Sequence, residues 1–87
     1  MPRISTFYGI TIWMYWDEGV HARPHFHARY GEYQASVDFQ GEVIVGWLPP
    51  RALGFVDEWA LLHAGELQAN CDRARDNQPL LAIEPLA

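Results

Sequence analysis

Two adjacent prolines, Pro49 and Pro50, divide this chain between two incompatible apolar rhythms. Before them apolar and polar residues tend to alternate; after them apolar residues return every three or four positions. The first rhythm suits a half-buried strand and the second suits one face of a helix. Proline cannot donate to a sheet ladder but fits the first turn of a helix. The pair therefore marks the place where a sheet stops and a helix starts, and the chain reads as α+β with its strands and helix segregated.

The strands come from residue types and turn signals. Residues 9–16 set Ile10, Ile12, Met14 and Trp16 against Thr11, Trp13 and Tyr15, a β-forming alternation that Asp17-Glu18-Gly19 breaks. Residues 24–30 and 33–39 form a hairpin around Gly31-Glu32, and a second tight turn at Gln40-Gly41 leads into 42–48. From Arg51 to about Asp76 the positions Leu53, Val56, Trp59 or Ala60, His63, Leu67, Cys71 and Ala74 trace a helical stripe. Gly65 is the expected place for a kink, and Asn77 the expected cap. The tail, Pro79 to Leu86, is apolar enough to pack back as a short edge strand. The expected fold is a four-stranded antiparallel β-meander packed on one face by a long C-terminal helix, with a short apolar tail.

A chain of 87 residues supports a single domain, 1–87, with one core, and an apolar content of 49% excludes disorder. The lone Cys71 excludes an intrachain disulfide and a cysteine-rich zinc module. The first residues lack the apolar segment of a secretory signal, and no apolar run approaches the ~20 residues of a membrane span. A cytoplasmic protein with no membrane partner is expected. The net charge is −5, and the six cations are all arginine, scattered at Arg3, Arg23, Arg29, Arg51, Arg73 and Arg75. That distribution disfavours tight non-specific nucleic-acid binding and favours a protein partner.

Chemistry concentrates in His21-Ala22-Arg23-Pro24-His25-Phe26-His27-Ala28-Arg29-Tyr30, which holds three of the four histidines. In a strand, residues i and i+2 share a face about 6.6 Å apart. His25, His27 and Arg29 thus share one face, and Phe26, Ala28 and Tyr30 point to the core. With Gly31-Glu32 as the loop, Tyr30 pairs with Tyr33, His27 with Ser36 and His25 with Asp38. Carried through the next turn, that register sets Val43 beside Asp38, Val45 beside Ser36 and Trp47 beside Gln34, all on the histidine face. Trp13 or Tyr15 extends the same surface.

Three uses of these histidines are open. Imidazoles titrate near neutral pH, so His25 and His27 are candidate acid/base catalysts, with Arg29 holding a phosphate and Asp38 orienting His25. Alternatively, His21, His25 and His27 supply three ligands for a divalent metal such as zinc. The plainest use is as hydrogen-bonded surface or interface residues without chemistry. His63 reads as a boundary residue on the helix stripe, Cys71 as a small core hydrophobe and Trp59 as a core anchor.

Particular blocks resemble a known family. They are Phe7-x-Gly9-Ile10, Pro24-His25-Phe26-His27-Ala28-x-Tyr30-Gly31, Leu48-Pro49-x-Arg51-Ala52-Leu53, Glu58-Trp59-x-x-Leu62-His63-x-x-Glu66-Leu67 and Ile83-x-Pro85-Leu86. Together they resemble the bacterial domain-of-unknown-function 4160 family over nearly the whole chain. Cys71 departs from the aromatic often found there. The resemblance implies a component of a small toxin–antitoxin-like pair, the toxin more than the antitoxin, with a cognate small protein encoded nearby as partner. It carries no established catalytic residues. The alternatives are a non-catalytic binding module or regulator and a small metal-binding protein; an apolar outer face would also suit a homodimer.

Overall fold

The computed structural model describes residues 3–14 and 24–87. It is α+β, with five strands and two helices: β1 (Arg3–Phe7), β2 (Ile10–Trp13), β3 (His25–Tyr30), β4 (Tyr33–Asp38), β5 (Val43–Gly46), α1 (Pro50–Leu62) and α2 (Ala64–Arg75). The strands form one antiparallel sheet in sequence order, β1 to β5. Two details of the expected fold are corrected: the sheet has five strands where four were expected, and two helices replace one long helix.

The extra strand is β1. The register shifts between Arg3 and Ser5, so Ile4 and Ser5 are both buried although adjacent. A bulge of this kind erases the period-two signal by which a strand is read. Phe7 then pairs with Ile10 across a two-residue turn, with φ of 50° at Tyr8 and 78° at Gly9. Positive φ at both centres matches the right-handed twist of a hairpin. The expected strand over 9–16 is thus β2 preceded by a turn, and its part after Met14 lies outside the described residues.

The helix breaks at His63, which adopts φ −118° and ψ 25° between α1 and α2. The break falls two residues before Gly65, the expected kink. The apolar stripe continues across it: Val56, Trp59 and Ala60 of α1 and Leu67 of α2 all reach the core. Asn77 caps α2 as expected, with φ 57°. Gln78 N donates to Arg73 O at 2.7 Å and Asn77 N to Ala74 O at 3.2 Å, the paired bonds of a Schellman cap.

The tail packs on the domain without becoming a strand. Ile83 N donates to Ile4 O at 2.7 Å, which gives β1 one ladder-like bond on its outer side. Side chains supply the other anchors. Asn70, 1% exposed, donates through Nδ2 to Leu81 O at 2.8 Å and accepts from Leu81 N at 2.9 Å. Trp59 Nε1 donates to Glu84 O at 2.9 Å. A buried amide is tolerated because these bonds answer its polar atoms and the backbone of the strap together.

The core lies between the helices and one sheet face, where Ile4, Phe7, Ile10, Ile12, Phe26, Ala28, Ala35 and Val37 meet Ala52, Val56, Trp59 and Leu67. Phe26 and Ala28 point inward as the alternation requires, leaving His25 and His27 on the opposite face, half-buried.

The β3–β4 register is the expected one: His25 opposes Asp38, His27 opposes Ser36 and Tyr30 opposes Tyr33. Gly31 has φ 59°, which suits the first centre of a two-residue hairpin turn. The β4–β5 register departs from expectation. Ser36 opposes Val45, but Val43 opposes Val37, with a shift between them. Ile44 is the additional residue, so Val43 does not stand beside Asp38. A bulge also blunts β5 as an edge strand. The backbone of Trp47 keeps its expected neighbour, donating to Gln34 O at 3.0 Å. Its ring instead meets Tyr33 edge-on at 5.1 Å.

Gly46 makes that geometry possible. It has φ 91°, and a Cβ there would lie 2.2 Å from Gln34 O and 2.9 Å from Ala35 Cα. Both obstacles are backbone. Gly46→Ala is expected to destabilise the domain by about 3 kcal/mol or more, through left-handed strain and overlap together. Chemical denaturation would measure this; a loss below about 1 kcal/mol would mean that β5 repositions freely.

Candidate functional site

The pairing assembles one row of side chains across the sheet. Arg3 opposes Trp13, Trp13 opposes His27, His27 opposes Ser36 and Ser36 opposes Val45. Directly paired residues share a face, so the row runs over all five strands on the side away from the core. Its centre is rigidly built. The Trp13 and His27 rings stack with centroids 5.5 Å apart and planes 17° apart. His27 Nδ1 and Ser36 Oγ are hydrogen-bonded at 3.2 Å. His25 stands edge-on to His27, with centroids 5.1 Å apart. An imidazole held by an indole on one side and a hydroxyl on another has little rotational freedom.

Trp13 is 7% exposed, and its Nε1 is buried with no hydrogen-bond partner among the described residues. An unanswered buried donor costs on the order of 1–3 kcal/mol. Val45, at the other end of the row, is 66% exposed. The face thus combines a buried indole, two half-buried imidazoles, a hydroxyl and an exposed aliphatic group.

Sequence reasoning brought His25, His27, Arg29 and Asp38 together, and the structure distributes them unevenly. His25 and His27 are adjacent. Arg29 is in the next row, opposite Gln34, and its Nε donates to Gly31 O at 3.1 Å. Asp38 opposes His25, and its Oδ1 accepts from Gln40 N and Glu42 N, both at 2.9 Å. That oxygen closes the β4–β5 turn, a role suited to an Asx side chain. Of the metal set His21, His25 and His27, His21 lies outside the described residues. Among the described residues no group of three His, Cys, Asp or Glu is placed to hold a metal ion. Tyr15 also lies outside them. His63 is the boundary residue expected, with Nδ1 bonded to Glu66 Oε1 at 2.6 Å and its ring against Trp59. Ser36 is the participant that residue type alone did not single out; the hairpin register was the signal for it.

A family model described as Domain of unknown function (DUF4160) matches residues 9–71. The chain belongs to this family. The matched span contains β2 to β5, α1, most of α2 and the whole Trp13–His27–Ser36 centre. Neither curated proteins nor solved structures provide a match. No described helix is long and apolar enough to cross a membrane.

The turn closed by Asp38 has a second carboxylate nearby. Asp57, on α1, has Oδ1 buried and without a hydrogen-bond partner among the described residues. Burial first, and the Asp38 charge second, push its carboxyl above the ordinary value of 3.8. A raised folded-state value means that the folded protein holds the proton more tightly than the unfolded chain. The resulting stabilisation is fully present below 3.8 and is lost as pH rises through the folded value. Asp57→Asn, which removes the charge but keeps the shape, is expected to unfold at a higher temperature than the unsubstituted protein at pH 7. That advantage should shrink as pH falls toward 3.8. Thermal melts across this range would show it; a variant less stable at every pH would contradict it.

Proposed function

We propose that this protein is the toxin of a small bacterial toxin–antitoxin-like pair, and that the histidine face is the surface by which it engages its cognate small protein. The Trp13–His27–Ser36 row carries this reading. It combines an imidazole fixed between the Trp13 ring and the Ser36 hydroxyl with an exposed Val45. Such a surface offers an anchor and directed polar groups around apolar area, the mixture found at the centre of protein interfaces. Both described helices pack on the other side of the sheet, so the row is a natural place for a second chain. The net charge of −5 favours a partner with a basic contact surface.

His25 and His27 also suit chemistry. An imidazole nitrogen bonded to a hydroxyl is the arrangement by which a base prepares a nucleophile or passes a proton. On this reading the toxin acts through the histidine pair, and the partner silences it by covering them. Asp38 and Arg29 then support the site from the turns at the two ends of the hairpin.

The test is growth after induction of the protein alone in bacteria, beside a folded His25→Ala/His27→Ala variant and beside co-expression of the small protein encoded next to it. Arrest is expected with the unsubstituted protein, relief with the variant, and relief with the partner together with co-purification of the two chains. Normal growth with abundant folded protein would reject the toxin assignment. Co-purification undiminished by the double substitution would reject the histidine face as the contact.

A further inference from the structure

On the core side of the sheet, away from the histidine row, a half-open groove of about 480 Å³ lies between the start of α1 and the β1–β2 and β3–β4 turns. Tyr8, Tyr30, Pro49, Arg51, Ala52 and Phe55 line it. Its size is within the range of ordinary small-ligand sites, roughly 300–1,000 Å³. We propose that this groove binds a nucleoside monophosphate: a planar ring that carries a phosphate.

The ring-binding part comes from the aromatic walls. Tyr8 and Phe55 pack with centroids 4.9 Å apart, and Tyr30 stands over Gly9, where a Cβ would lie 3.5 Å from the Tyr30 ring. Tyr8 occupies a turn position with φ 50°, where Asn, Asp or Gly is the usual choice. Its hydroxyl donates to Ala87 O, which fixes the ring as a wall. Aromatic faces of this kind stack on a base regardless of its identity.

The phosphate-binding part comes from Arg51. Its guanidinium lies over the Phe55 ring, 5.8 Å from the centroid, and makes no ion pair with a carboxylate among the described residues. No acidic side chain lines the groove among the described residues. A guanidinium already packed against an aromatic wall can still present its fork to two phosphate oxygens. The first turn of α1 adds to the same field, since it contains no acidic residue and no capping side chain. A ring without a phosphate would leave Arg51 unused, and a phosphate without a ring would leave the three aromatic walls unused.

The experiment is titration of the full chain with adenosine 5′-monophosphate, adenosine and inorganic phosphate, followed by calorimetry and by backbone amide shifts. The monophosphate is expected to saturate, with the largest shifts at Gly9, Tyr30, Ala52 and Phe55, and to bind at least tenfold more tightly than either fragment. Arg51→Gln is expected to weaken it at least tenfold with the melting temperature unchanged, because Arg51 is exposed. Arg51→Lys, which keeps the charge but loses the fork, should weaken it less. Absence of saturable binding, equal affinity in Arg51→Gln, or shifts confined to the histidine face would overturn the proposal. A 5′-phosphorylated trinucleotide binding more tightly than the monophosphate would overturn the assignment to a free nucleotide.

Discussion

The fold depends on Trp59. Its side chain is fully buried and touches every layer: Phe7 of β1 at 5.5 Å, Phe26 of β3 at 5.6 Å and His63 at the helix break at 5.8 Å. Its indole N–H reaches the tail at Glu84 O. One residue therefore holds α1 to the sheet and ties down the final segment. A buried tryptophan needs a partner for its one polar atom, and here that need orients the tail. Because Phe26 must face Trp59, alternation along β3 sends His25 and His27 to the other side. The histidine row is thus a consequence of how the core is filled.

The two faces of the sheet then have different work. The core side is packed by the two described helices, with the Tyr8–Tyr30–Arg51 groove at the start of α1. The far side displays a row that no described helix covers. The histidine row is built on strands, which position side chains more firmly than loops do, while the groove is built from two turns and the start of α1. They also differ in chemistry: imidazoles and a hydroxyl on one side, a guanidinium and phenol rings on the other.

Much of this was legible in the sequence, for identifiable reasons. The β3–β4 register was readable residue by residue, because a two-residue Gly-Glu loop between period-two segments leaves little freedom. His27 beside Ser36 follows from that register alone. The next hairpin was not readable to the same depth: the bulge at Ile44 and the left-handed Gly46 shift Val43 by one partner, and neither leaves a mark in the apolar pattern. The bulge near Ile4 hid β1 in the same way. Asn70 reads as a surface residue by type, and its buried role depends on Leu81, eleven positions away, a contact that helical spacing cannot reveal. The groove was equally hidden, since its lining comes from two turns and a helix start that no single motif joins.

The measurement that bears most directly on the central claim is an amide and indole shift map of the labelled protein titrated with its cognate small protein. The account expects the largest changes at the Trp13 indole N–H, His25, His27, Ser36 and Val45, in one row across the sheet. Changes centred instead on the exposed leucines of the helical side, Leu61, Leu62 and Leu81, with the Trp13 indole unmoved, would contradict it.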